Sequence, residues 1–222
     1  MITIIIPTID NREILLKRCI DFYTKYSFEI YVVDGSKKGK LISAKNLKYL
    51  HLPKLSLEKR LVYALNKIKN NLILICQDDD FINIPVLKKG IKIISKNKKI
   101  SWLGGDQLYF SKYFGKYYFE KLKNNNENKD YFSDNTQKRA LFFAKYQQQL
   151  MASIFRRKDL LVALNNYLKT DLDIRKDNKK INVYYETIYS IFMSIEGKYF
   201  HINDVWQFRD LKVYYNINSR PA

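Results

Sequence analysis

Cysteine, histidine, proline and glycine are all scarce in this chain of 222 residues, numbering two, two, four and seven. The two cysteines, Cys19 and Cys76, each lie in an apolar run, which excludes a disulfide scaffold. They read as buried free thiols suited to a reducing compartment. With only His51 and His201 beside them, the chain has no convincing ligand set for zinc. So little glycine and proline argues against a collagen-like, low-complexity or wholly disordered chain. Glycine is also missing where several chemistries require it. There is no G-x-x-x-x-G-K-[ST] loop, no G-x-G-x-x-G after the first apolar run and no G-x-S-x-G elbow. P-loop kinase, Rossmann dehydrogenase and serine hydrolase readings therefore lose support. No segment approaches about 18 uninterrupted apolar residues, so no spanning helix is expected. The N-terminal run lacks the basic flank of an export signal, and the expected location is the cytoplasm. Acidic residues are the last shortage: 22 Asp and Glu face 40 Lys and Arg, a net charge of +18. That excess implies an anionic partner, whether nucleic acid, a phosphorylated small molecule or an anionic membrane, without choosing among them. The basic clusters are scattered and form no nucleic-acid module, so most read as solvated surface with a weak pull toward anionic headgroups.

What is abundant is apolar: 46% hydrophobic and 15% aromatic residues, enough for the core of one domain. Residues 2–6 form a β-branched run closed by Pro7, which reads as a buried strand. Asp10 and Glu13 have the spacing of a capping box for the helix that follows. Strands are expected at 29–33, 47–52 and 72–76, and a helix capped by Ser56 lies between the last two. Another helix is expected over 85–96, with Pro85 in its first turn. Apolar strands alternating with helices predict an α/β fold with a mostly parallel sheet. Ligands of such sheets bind beyond the carboxyl ends of the strands, where Thr8, Asp34 and Asp78-Asp79-Asp80 all fall. After residue 100 the pattern is less regular. Strands are expected at 102–109, 116–122, 152–155 and 199–202, and helices at 136–146 and 159–168. A further helix carries Ile188, Ile191, Phe192 and Ile195 and ends at Gly197. Residues 124–135 read as a surface loop. The chain divides into a binding half, 1–97, and an irregular half, 98–222, within a single domain.

Asp78-Asp79-Asp80 is the principal chemical feature. Adjacent carboxylates behind an apolar strand repel one another, and a hard divalent cation removes the conflict. In extended chain, Asp78 and Asp80 share one side and Asp79 takes the other. A solvated acidic turn is the bland alternative. Asp34-Gly35-Ser36 is either a nucleoside contact or an ordinary turn. Glu186 opens a helix, where it serves either the helix dipole or general-base chemistry. Arg60 is either a phosphate contact or a surface residue.

Taken in order, these segments resemble the GT-A glycosyltransferases, in particular glycosyltransferase family 2 and its bacterial cell-surface polysaccharide branch. The residues that carry the resemblance are Ile4-Ile5-Ile6-Pro7-Thr8, Val32-Val33-Asp34-Gly35-Ser36, Leu55-Ser56-Leu57-Glu58-Lys59-Arg60 and Asp78-Asp79-Asp80-Phe81. Ser153-Ile154-Phe155-Arg156-Arg157, Tyr185-Glu186-Thr187 and Gly197-Lys198-Tyr199 extend it to about residue 205. The resemblance implies a Rossmann-like GT-A sheet and an irregular acceptor-side part. It implies a nucleotide-diphosphate sugar donor, a glycan or lipid-linked acceptor and inverting transfer assisted by Mn²⁺ or Mg²⁺. It puts Thr8, Asp34, Ser36, Arg60, Asp78 and Asp79 at the donor and Asp80 with Asp78 at the metal. Glu186 takes the place of the catalytic base, with Asp106 and Asp204 as alternatives because Thr187 stands where many members have Asp. Peripheral contact with the inner face of the plasma membrane is a further implication. The competing readings are a nucleotidyltransferase on a similar sheet and a non-enzymatic basic module for nucleic acid or membrane.

Overall fold

The computed structural model describes residues 1–113, 116–121, 130–145, 151–170 and 182–210, of which 112–113, 121, 130 and 182–186 are described by their backbone alone. The first half runs β1 (Ile2–Thr8), α1 (Glu13–Tyr23), β2 (Glu29–Asp34), β3 (Leu47–His51), α2 (Leu57–Lys67), β4 (Leu72–Ile75), β5 (Asp80–Ile82) and α3 (Ile84–Lys96). The second runs β6 (Ile100–Tyr113), β7 (Lys116–Lys121), a 3-10 turn (Asp130–Phe132), α4 (Thr136–Lys145), β8 (Ser153–Arg156), α5 (Arg157–Lys169), α6 (Asn182–Glu196) and β9 (Lys198–Asp210). Together the strands make one sheet in the order β3-β2-β1-β4-β8-β6-β9-β5, with β7 paired to β6.

Strand alternation builds two cores from one sheet. Ile2, Ile4 and Ile6 of β1, with Ile30 and Val32 of β2 and Leu72 and Leu74 of β4, pack against α1 and α3. Ile5, with Tyr31, Val33, Ile73 and Ile75, faces the side carrying α2, α4, α5 and α6. Ile4, Ile5 and Ile6 are all fully buried, because helices cover both faces of this parallel part of the sheet. A polar residue at any of these inner positions would lack a partner, so the first place β1 can carry chemistry is its carboxyl end.

The sheet is mixed rather than mostly parallel. β1, β2, β3 and β4 pair in parallel, as do β6 and β9, whereas β8, β5 and β7 each pair antiparallel to their neighbours. For β8 the sequence hid this because a short antiparallel strand buried along its length is as apolar as a parallel one. β6 is also longer than its 102–109 segment, because it pairs with β8, β9 and β7 along its length.

The capping box at Asp10 does not form. Arg12 is the N-cap residue of α1 and makes no side-chain cap, while Asp10 accepts from the Lys37 backbone N–H at 3.1 Å. Ser56 does cap α2, accepting from the Lys59 N–H, and Pro85 stands in the first turn of α3. Gly197 follows α6 because a Cβ there would lie 2.0 Å from Ser101 Oγ. The two cysteines are free and buried. Of the 124–135 loop, residues 124–129 lie outside the described residues, and 130–132 form the 3-10 turn.

Candidate active site

The chain leaves β1 for β2 and β3 on one side, then returns to β4 on the other. Ligands of α/β sheets bind at such a reversal of strand order, here beyond the carboxyl ends of β1 and β4. Thr8 closes β1 and is the registered partner of Asp34 at the end of β2. Thr8 Oγ1 donates to Asp78 Oδ2 at 2.7 Å, so the expected meeting of Thr8 with the acidic cluster occurs.

The cluster itself is not extended. Asp78 and Asp79 occupy a turn closed by the Asp80 N–H on the Gln77 carbonyl, and Asp80 starts β5. The alternation expected of an extended chain is therefore lost, and Asp78 pairs with Asp79 rather than with Asp80. Arg12, which the sequence reading missed, binds both. Its Nε donates to the Asp78 oxygens at 2.7 and 2.9 Å, and its Nη2 lies 2.9 Å from Asp79 Oδ2. Asp80 turns the other way, onto Arg209 of β9. Nε and Nη2 of Arg209 donate to the two Asp80 oxygens at 2.9 and 2.8 Å, and Nη2 also reaches Gln77 Oε1 at 2.8 Å.

Burial pushes the Asp78 carboxyl above its ordinary value, opposed by the hydrogen bonds of Arg12 and Thr8. Asp80 is pushed up by burial in the same way, opposed by Arg209. Burial opposes the charge on Arg12, but Asp78 and Asp79 outweigh it and hold the guanidinium protonated. The three carboxylates thus carry two arginine counter-charges.

Among the described residues, no three His, Cys, Asp or Glu side chains converge on one point as a metal cage. Mg²⁺ and Mn²⁺ need fewer protein ligands when a substrate phosphate supplies the rest. One atom fits that role: Asp79 Oδ1 is buried and has no hydrogen-bond partner. Both oxygens of Asp80 are taken by Arg209 and those of Asp78 by Arg12 and Thr8. A hard cation on the expected Asp78–Asp80 pair would have to displace Arg12 and Arg209, whereas Asp79 Oδ1 offers an acceptor with no partner to displace.

Asp34 is fully buried and heavily solvated by protein donors. Its Oδ1 accepts from the Ser36 N–H at 2.8 Å and from Ser36 Oγ, and its Oδ2 accepts from the Tyr49 hydroxyl. Lys40 Nζ stands 3.3 Å from Oδ2. Burial alone would raise the carboxyl, but the Ser36 and Tyr49 donors and Lys40 bring it below its ordinary value. Tyr49 is pushed up to about 12, by burial and by its bond to Asp34. Arg60 is neither a surface residue nor extended toward the crevice. It is buried beneath the site, where Nη1 donates to the Thr8 carbonyl at 3.0 Å and the Val33 carbonyl at 3.1 Å. Gly35 is required there, since a Cβ would meet the guanidinium at 2.5 Å.

Asp106 of β6 is hydrogen-bonded to His201 of β9, Nε2 to Oδ1 at 2.9 Å, and the other ring nitrogen lies 3.3 Å from the Tyr199 hydroxyl. Asp204 forms an exposed ion pair with Lys89 at 2.7 Å. Glu186 does not open its helix: α6 starts at Asn182, which puts Glu186 in the second turn, and its side chain is outside the described residues. The end of α6 leads directly into β9 opposite the start of β6, so its N-terminal turns point to the carboxyl edge of the sheet.

A concavity of about 480 Å³ lies apart from these groups and is lined by aromatic residues including Phe22, Phe81, Phe110, Phe119 and Phe208. Phe81 follows Asp80 along β5 and so faces the opposite side of the strand.

No family description matches the sequence, and no curated protein does. Solved structures do match. TarS 1–349 from S. aureus superposes with a TM-score of 0.60 at 15% identity, over 97% of this chain and 62% of that one. The chain shares the fold of TarS. The structure of TarS 1–349 in complex with UDP-GlcNAc gives a TM-score of 0.57 at 16% identity, covering 94% of this chain and 58% of that one. The bifunctional IspDF from Campylobacter jejuni matches at 0.50 and 11%, over 91% of this chain and 49% of that one. The chain therefore spans about three fifths of the TarS 1–349 structures. The architecture is the GT-A-like α/β sheet that the sequence motifs imply. No helix among the described residues is long and apolar enough to cross a membrane.

Proposed function

We propose that this chain is a glycosyltransferase that moves a sugar from a nucleotide-diphosphate donor to a hydroxyl of a glycan or lipid-linked glycan, with inversion at the sugar carbon. The observation that carries this reading is the polar cluster at the β1–β4 reversal. Thr8, Arg12, Asp78 and Asp79 meet there through hydrogen bonds, with Asp34 one strand away. The fold is shared with TarS, which has been determined with UDP-GlcNAc and with UDP.

In this reading Thr8, Asp34 and Ser36 border the nucleoside and Arg60 fixes the main chain that carries them. Asp79, through its unpartnered oxygen, is the ligand for Mn²⁺ or Mg²⁺. A cation bound there supplies positive charge against the diphosphate as it leaves. Asp80 anchors the acidic turn to β9. Glu186 is the general base at the carboxyl edge. It takes the proton of the acceptor hydroxyl as that oxygen bonds to the sugar carbon, while the bond from carbon to the diphosphate oxygen breaks on the opposite face. Asp106, held by His201, is the second candidate for this proton. The charge of +18 supports peripheral contact with an anionic membrane face, where a lipid-linked acceptor would be presented.

The test is a melting screen with uridine, guanosine, cytidine and thymidine diphosphate sugars plus Mn²⁺, followed by assay of nucleotide diphosphate release. A donor at 100 times its Kd should add about 2.7 kcal/mol of stability. Unchanged melting across the panel, with no diphosphate released, would refute the reading.

A further inference from the structure

Three arginines touch the candidate site, and they are held very differently. Arg60 is locked onto two main-chain carbonyls beneath it. Arg209 belongs to β9, where residue 209 is the registered partner of Asp80 itself. Arg12 sits on the short connection between β1 and α1, next to Asn11 with φ 63°, and contributes no side-chain cap to the helix it precedes. Its side chain is 18% exposed, so it has a path to solvent. Yet among the described residues Arg12 makes the closest contacts of any cation with Asp78 and Asp79, the pair beside the unpartnered Asp79 oxygen.

Charge decides what must happen when ligands arrive. Asp78 and Asp79 together carry two negative charges and Arg12 returns one. A divalent cation at Asp79 would meet the Arg12 guanidinium at close range as a like charge. A diphosphate would meet two carboxylates of its own sign, and Arg12 is a cation already at that pair with a path to solvent. A guanidinium binds the planar fork of a carboxylate and the oxygens of a phosphate with the same donors.

We propose that Arg12 is an exchangeable counter-ion: it neutralises Asp78 and Asp79 in the free protein, competes there with a divalent cation, and passes to the donor's diphosphate when both ligands bind. This rests on the nucleotide-sugar reading for its second half only. It makes metal and nucleotide affinities respond to Arg12 in opposite directions. With the competitor gone, Mn²⁺ binds more tightly; with the diphosphate contact gone, the nucleotide binds more weakly. A merely structural arginine would weaken both.

The experiment titrates Mn²⁺ into wild type, Arg12→Gln and Arg12→Lys without nucleotide, reading free Mn²⁺ by electron paramagnetic resonance at fixed ionic strength. UDP is then titrated at saturating Mn²⁺ by calorimetry, and melting curves confirm that each variant is folded. Arg12→Gln should tighten Mn²⁺ by about tenfold or more, the scale of removing one unit charge a few ångströms away. It should weaken UDP by about tenfold, the loss of a charge-assisted hydrogen bond. Arg12→Lys keeps the charge and should stay close to wild type for Mn²⁺. Equal or weaker Mn²⁺ binding by Arg12→Gln, or no Mn²⁺ binding by any form, overturns the proposal. Tighter Mn²⁺ with no UDP binding in wild type leaves the counter-ion competition standing and removes the nucleotide reading.

Discussion

Replacing Asp80 by asparagine separates a structural aspartate from a metal ligand. Asp80 is fully buried and gives both oxygens to the Arg209 guanidinium, which is itself 8% exposed. Asp80→Asn keeps the shape and one acceptor but leaves that guanidinium charged, buried and without a counter-ion. Breaking a buried pair on one side costs about 3–5 kcal/mol. Domains of this kind have total stabilities of roughly 5–15 kcal/mol, so the loss is a large share. At roughly 2–4 °C per kcal/mol for this chain length, melting should fall by about 6–20 °C. Arg209→Met alone leaves a buried carboxyl already pushed up by its surroundings, and Asp80 will take a proton instead. That variant should therefore regain stability as pH falls, whereas Asp80→Asn should not. The double variant Asp80→Asn with Arg209→Met removes both charges and should recover most of the loss, because buried pairs contribute little net stability over apolar replacements. Urea unfolding of the four proteins, with unchanged m-values, closes the cycle. A cost under about 1 kcal/mol for Asp80→Asn, combined with lost Mn²⁺ binding, would refute the assignment and return Asp80 to the metal.

Asp79→Asn should show the reverse pattern, with Mn²⁺ binding by paramagnetic resonance lost and stability changed by less than in Asp80→Asn, because Arg12 keeps Asp78. Asp34 is held below its ordinary value, so its contribution is present above about pH 4 and is lost as pH falls through its folded value. Tyr49→Phe removes one of the donors that hold it down, and should lower stability at neutral pH by about 1.5–3 kcal/mol while flattening the acid-side fall, measured by urea unfolding between pH 3 and 7 in roughly unit steps. Gly35→Ala places a Cβ against the Arg60 guanidinium, which cannot retreat without leaving the Thr8 and Val33 carbonyls. It should cost about 1–3 kcal/mol in the same assay. Glu186→Gln should lower kcat by about 10²–10⁴ with KM for donor little changed, and an equal fall for Asp106→Asn with Glu186→Gln unaffected would move the base to Asp106.

Periodicity carried most of the fold. The β-branched run of β1, the cap at Ser56 and the helical spacing of Leu57, Leu61, Ala64, Leu65 and Ile68 each follow from local physics, and each stands where that physics puts it. The antiparallel returns of β8, β5 and β7 were not legible, because strand direction is set by which partner a strand finds and not by its own residues. The site divides along the same line. Thr8, Asp34 and the acidic turn were visible because strand ends are the only polar outlets of a parallel sheet covered on both faces. Arg12 and Arg209 were not, since an arginine acquires a role only through the acid it meets, 66 and 129 residues away in sequence. A signal did exist. Three adjacent carboxylates that fold into a buried turn must have counter-charges from elsewhere in the chain.

That requirement explains why the aspartates divide as they do. Counting only charge, one divalent cation would serve the cluster as well as two arginines. Geometry separates the cases. The turn at 77–80 sends Asp80 toward the β5–β9 ladder and leaves Asp78 and Asp79 beside Thr8 and Arg12. A cation on Asp80 would have to displace a bidentate arginine from inside the sheet, with the loss of pairing worked out above. A cation at Asp79 would have to displace only a loop arginine that has solvent beside it and, in the proposed function, a diphosphate to receive it. The three aspartates thus divide into one anchor and one exchange site, and it is the second on which the proposed metal-assisted departure of a diphosphate would depend.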